Sequence, residues 1–191
     1  VSITSYTHHP FYTSFPVEVQ DNWRQPGSWN LPIDEMAEVI DNAVRQGYTV
    51  AWGGDVSEDG FTRDGLALLI DTKSSDLTGS DMAKWLKLSA SEKKNKLKEM
   101  GINVKELTPT QEQRQEEYDN WTLTDDHGML IYGIAKDQNG REYYMVKNSW
   151  GDTGDYNGIW YMSKNFIVAK TMDFMVNKNA IPTKIRKKIG I

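Results

Sequence analysis

A chain of 191 residues suffices for one domain with a sizeable core or for two small lobes, and its seven Trp, nine Tyr and five Phe supply the apolar surface that disordered chains lack. A net charge of −5 argues against a phosphate backbone as partner, and the absence of cysteine removes disulfides, thiolate metal sites and thiol chemistry from these residues. The longest apolar runs, 66–70 and 129–132, fall far short of the roughly 20 residues of a membrane helix, so neither nucleic acid nor membrane is an expected partner.

Residues 1–30 are rich in Thr, Ser, His, Pro and aromatics, and the alternation near 1–6 and 15–19 predicts short strands between loops. From Pro32 the period changes. Ile33, Met36, Ala37, Ile40, Ala43 and Val44 recur at helical spacing, Asp34 and Glu35 occupy the first turn, and Gly47 follows as the stop, which together predict an amphipathic helix. Residues 48–52 then read as a strand ending in Gly53-Gly54-Asp55, where the missing side chains let backbone approach a neighbour or ligand closely. The run 66–70 reads as one strand between loops. The acidic residues Asp55, Glu58, Asp59 and Asp64 lack the spacing of a calcium loop and read as a solvated surface.

Residues 81–100 are highly charged and read as one helix or a broken pair. Thr108-Pro109 ahead of residues 111–118 suggests an N-cap with Pro at the first helical position, opening a second polar helix. These two segments make 80–120 a charged helical insertion rather than core. An antiparallel meander follows: 129–134, a turn at 136–140 carrying the Asn139-Gly140 hairpin signal, 142–148, a Gly-rich turn at 151–158, and 159–163. The basic cluster Lys184, Arg186, Lys187 and Lys188 reads as the solvated face of a short helix.

In this meander His127 enters the first strand and Asn148 ends the second, so the hairpin can bring the two side by side. A Cys-His-Asn enzyme needs that pairing, because the imidazole deprotonates the thiol and later protonates the leaving amine while the Asn oxygen orients the ring. Lys147-Asn148-Ser149-Trp150-Gly151 resembles the Asn motif of papain-like cysteine peptidases, residues 126–133 are similar to their His motif, and Gly158-Ile159-Trp160-Tyr161-Met162 resembles the strand that follows. The likeness is greatest to the bleomycin hydrolase and aminopeptidase C branch, from the helix-then-Gly-Gly-Asp segment, the helical insertion before His127 and the strand-rich tail 172–177.

The resemblance implies an α+β papain-like fold: an antiparallel sheet or half-barrel lobe, a covering helix and the charged insertion, with residues 1–191 as one domain. It implies His127 as general base and acid, Asn148 as its orienter and Trp150 as a shield over their hydrogen bond. Asp126 and Gly128 would flank the cleft, and Ala51, Trp52 and Gly53 would lie near the pocket for the substrate residue preceding the cut. It implies a thiol protease, acting as an aminopeptidase on short peptides, without a metal or other cofactor and with a cytoplasmic location. In papain-type chains His and Asn follow the Cys by roughly 130–150 residues, a count that runs off the front of this chain. The expected partners are therefore a peptide substrate and a Cys-bearing N-terminal segment or chain, and the exposed cleft wall makes a homo-oligomer expected as well. These residues without a thiol are expected to be inactive alone.

Two other readings compete. A non-catalytic, peptidase-like binding or assembly module would use the insertion as an interface, while a transglutaminase-type acyltransferase is disfavoured by Asn in place of Asp after His127. The pair His8-His9 reads as unsuited to metal, since neighbours on a strand point to opposite faces and no third ligand stands at a sensible spacing. The tryptophans Trp23, Trp29, Trp52, Trp85, Trp121 and Trp160 read as packing residues.

Overall fold

The computed structural model describes residues 1–20, 22–70, 89, 92, 95 and 106–191; the expected helix at 81–100 lies almost wholly outside them. Nine strands among the described residues share one sheet: β1 (Ser2–Thr4), β2 (Ser14–Pro16), β3 (Gly27–Asn30), β4 (Val50–Gly54), β5 (Leu66–Ala67), β6 (His127–Lys136), β7 (Glu142–Lys147), β8 (Ile159–Ser163) and β9 (Thr171–Val176). Their order is β2-β3-β1-β9-β4-β6-β7-β8-β5. The β6-β7-β8 meander is antiparallel as its turn residues require, while β1 with β3 and β5 with β8 pair in parallel.

Helix α1 (Ile33–Arg45) forms over the predicted span and turns Met36, Val39, Ile40, Ala43 and Val44 onto the sheet. They meet Val50, Trp52, Met129, Ile131, Phe174 and Val176 in the main core. Because side chains alternate across a strand, the same strands present Ala51, Gly53, Gly128, Leu130, Asp173 and Met175 to the opposite face, which no helix of the described residues covers. Helix α3 (Lys164–Lys170) adds Phe166 and Ile167 to the core, and α4 (Thr183–Ile189) adds Ile185 and Ile189. The basic face of α4 is not simply solvated, since Lys184 and Lys188 pair with Glu38 and Glu35 of α1.

Helix α2 (Gln111–Asp119) differs from expectation in two ways. Its N-cap is Thr110, in a reciprocal capping box with Gln113, so Pro109 precedes the helix. It is also built into the body of the molecule. Arg114 is 1% exposed and donates to the carbonyls of Ser5, Val168 and Ala169 at 3.0–3.2 Å, with its guanidinium over the Tyr6 ring. The expected strand at 66–70 is a two-residue strand, β5, plus an isolated bridge from Ile70 to Glu106. Of the tryptophans, Trp52 and Trp160 are core, whereas Trp23 and Trp121 are 78% and 72% exposed.

Removing the Arg114 donors strands three carbonyls away from water, at about 1–3 kcal/mol for each group left unsatisfied. Arg114→Ala is expected to lose about 3 kcal/mol or more of unfolding free energy in urea titration; a loss below about 1 kcal/mol would show that α2 is peripheral after all.

Candidate active site

Strand β6 runs beside β4 with His127 opposite Gly54 and Gly128 opposite Gly53. On its other edge β7 pairs with Leu130 opposite Lys147. That register ends β7 beside the start of β6, and Asn148, the next residue, is 3% exposed. His127 Nε2 lies 2.7 Å from Asn148 Oδ1. The amide orientation follows from a second contact, because the Ser149 N–H donates to the same Oδ1 at 2.7 Å. An oxygen that only accepts places the ring proton on Nε2, leaving Nδ1 of the neutral imidazole with its lone pair free for a proton.

The ring plane is held as well. Trp150 lies 4.8 Å from His127, centroid to centroid, and is itself wedged edge-on against Phe61 and Trp160. Trp150 keeps 46% of its surface exposed, so one face of the indole packs and the other meets solvent. The turn from Lys147 into β8 depends on Gly158, at φ +78°, where a Cβ would run into the Gly151 carbonyl. The Asn148 N–H donates to the Gly158 carbonyl, which ties the Asn motif to the glycine-rich turn.

Sequence reasoning missed a buried acid that ties the end of β4 to the segment leading into His127. Asp55, expected to be solvated, is fully buried. One carboxylate oxygen accepts from the Ser57 N–H and hydroxyl at 2.8 and 2.6 Å. The other accepts from the Thr124 N–H at 3.0 Å. Asp126, expected to flank the cleft, accepts at Oδ1 from the Val56 N–H at 3.0 Å, bracing the same turn. Burial, helped by the nearby Asp55 charge, pushes the Asp126 carboxyl above the ordinary Asp range against that hydrogen bond. Gly54 admits the crossing chain, since a Cβ there would strike the Lys170 carbonyl and the Trp52 ring.

The open face carries a cavity of about 720 Å³ directly beside Asn148, bounded by Ala51, Gly53, Gly128, Leu130, Asp173 and Met175. The expected pocket residues Ala51 and Gly53 therefore do line a concavity, and Gly128 lies opposite. Trp52 contributes its position in the strand, while its indole turns into the core and donates to Thr171 Oγ1 at 2.7 Å. Asp173 is the acid at the floor, accepting from Ser2 Oγ at 2.9 Å and Ser28 Oγ at 3.2 Å. Nothing in the local sequence marked Asp173, because its place depends on β9 lying between β1 and β4.

A family model described as the peptidase C1-like family matches residues 106–190, the segment that holds His127 and Asn148. Aminopeptidase C of Lactobacillus helveticus is 25% identical over 181 residues, covering 93% of this chain and 34% of the relative. The chain is similar to the papain-like cysteine peptidases, most clearly over the segment that carries His127 and Asn148. Within that family, cysteine proteinase 3 of Dictyostelium discoideum is 50% identical over a stretch of 40 residues, 21% of this chain and 12% of the relative. The fold matches that of PepW from Lactobacillus rhamnosis, with TM-score 0.62 and 20% identity over 99% of this chain and 37% of the other. The chain spans about a third of the length of the aminopeptidase C relatives that match most of it.

Two outcomes check this site. Asp55→Ala frees three donors near the His127 turn, and at about 1–3 kcal/mol for a buried group left unsatisfied should lower stability by that amount in chemical denaturation. Lys170, buried behind the same turn, is paired with Glu58 and Glu117 at 2.6 and 2.7 Å. Burial works to lower its pKa, but the hydrogen bonds and charges of those two glutamates outweigh it and hold the folded value above the ordinary 10.5. The stabilisation is therefore fully present below pH 10.5 and is lost as pH rises through the raised folded value. The stability gap between the native chain and Lys170→Met should stay constant from neutral pH to about 10 and shrink above it; a gap that closes already near pH 8 would contradict the pairing.

Proposed function

We propose that this chain is the His/Asn lobe of a cysteine peptidase that hydrolyses peptide bonds, with His127 as general base and acid, Asn148 as its orienter, and a nucleophilic cysteine supplied from outside these 191 residues. The observation that carries the reading is the His127–Asn148 hydrogen bond at 2.7 Å, with the amide oxygen fixed by Ser149. It leaves Nδ1 as the nitrogen that takes the thiol proton, and the same nitrogen later returns it to the departing amine. Trp150 covers the pair and slows exchange of its hydrogen bond with water. The cavity bounded by Ala51, Gly53 and Gly128 would hold the substrate residue preceding the cut, on a wall where two opposed glycines leave backbone open to a peptide.

The uncovered face of the sheet supports a Cys-bearing segment as its partner, and a homo-oligomer would shield the same surface. Aminopeptidase action is the finer reading, supported by relatives so named that match 93% of the chain. The test uses the full protein that carries this chain, assayed on amino-acid fluorogenic substrates. Alkylation of the thiol should abolish turnover, and His127→Ala should lower kcat/KM by about 10²–10⁴-fold. Activity that survives both treatments would overturn the proposal and favour a non-catalytic module or another chemistry.

A further inference from the structure

The N-terminal segment carries a cluster unrelated to the peptidase site. His8 and His9 do not lie on a strand; they occupy a bend after β1, so the alternation that would send them to opposite faces does not operate. Asn30, fully buried, makes the bend. Its Oδ1 accepts from the Tyr6 N–H at 2.9 Å, and its Nδ2 donates to the carbonyls of Tyr6 and His9 at 2.8 and 2.9 Å. Both imidazoles consequently face the carboxylate of Glu18. His8 Nε2 is 3.1 Å from one oxygen and His9 Nε2 is 3.0 Å from the other.

The rings are held before any ligand arrives. His8 stacks on Tyr118 with an interplanar angle of 12°, and His9 stacks on Phe15 at 4.0 Å. The Tyr118 hydroxyl donates to the Glu18 carbonyl at 3.2 Å, which anchors the third member. A tetrahedral ion with bonds of about 2.0–2.2 Å spaces its ligand atoms about 3.3 Å apart. The two nitrogen–oxygen separations already have that scale, and all three ligand atoms lie within 4.8 Å of one another. A rotation of the exposed Glu18 side chain and a small shift of His9 along the Phe15 face close the remaining distance.

We propose that His8, His9 and Glu18 form a binding site for a first-row divalent cation, zinc in particular. Two imidazoles and one carboxylate are a donor set suited to Zn²⁺ and leave a fourth position open. A cavity of about 250 Å³ lined by His8, Glu18, Val19, Tyr118, Asp119 and Trp121 adjoins the cluster and has room for a water or small anion there. On the other side of His8, the Gln115 amide is fixed by the Thr7 N–H, which donates to its Oε1 at 2.6 Å, and by its own Nε2, which donates to Asp119 Oδ1 at 2.7 Å and stands 3.0 Å from His8 Nδ1. The ion would staple residues 8–18 to α2 through His8 and Tyr118, which is a stabilising role independent of His127.

The experiment is calorimetric titration of the untagged full protein with zinc chloride after thiol alkylation, with Co²⁺ absorption as a second readout. One equivalent should bind, with visible cobalt bands of tetrahedral intensity. Glu18→Gln, which keeps the side-chain shape, and His9→Gln should each weaken that equivalent at least tenfold, about 1.4 kcal/mol, with unchanged far-ultraviolet circular dichroism. His127→Ala should leave it intact. Absence of saturable binding, or an equivalent that survives Glu18→Gln and His9→Gln but is lost in His127→Ala, would overturn the site.

Discussion

The hydrogen bond between His127 and Asn148 exists because β6 and β7 pair with Leu130 opposite Lys147. Shifting that ladder by one residue would move every side chain of β7 to the other face and separate the two polar groups. The register also has to satisfy the core, and a bulge reconciles the two demands. Pairing skips Tyr132 between Ile131 and Gly133, so Ile131 on one side of the bulge and Ile134 on the other both turn toward the core. A regular strand of this length would have sent one of them outward. The bulge therefore lets a ten-residue strand serve a packed core along its length and still deliver His127 at its end.

Two faces of one sheet then take different work. The inner face, closed by α1, holds the large aromatics Trp52, Trp160 and Phe174 and supplies the rigidity. The outer face is flattened by Gly53 and Gly128 across the β4–β6 pair, which leaves backbone exposed beside the cavity. His127 lies at the junction: its ladder partner Gly54 belongs to the inner set, while its neighbour Gly128 belongs to the outer one.

What the sequence made legible was local in origin. Helix α1 announces itself through apolar spacing and its acidic first turn, and β8 through a run of aromatic and branched residues after a glycine turn; neither needs a distant partner to be recognised. The His127 and Asn148 positions were legible for the same reason, as the ends of one hairpin. Strand β3 was not, since Gly-Ser-Trp-Asn has no alternation and becomes a strand by lying between β1 and β2. Asp55 was read as solvated because its burial comes from Thr124, which arrives 69 residues later. His8 and His9 were expected on a strand with their side chains on opposite faces, where Asn30 instead imposes a bend.

The far end of the hairpin shows why the site end can be left open. Glu142, at the start of β7, takes Arg45 of α1 and Lys164 of α3 at 2.8 and 2.6 Å, and Asp41 binds the same two cations. Hydrogen bonds from Lys164 and Arg45 hold the Glu142 carboxyl well below the usual range, at about 2. Exposed pairs of this kind contribute about 0–1 kcal/mol each, so their value lies less in energy than in geometry. Two helices are tied to one strand end. With that end clamped and Tyr144 buried against Asp41, the opposite end of the hairpin can carry polar residues at a solvent-facing rim, and the core does not depend on what covers them.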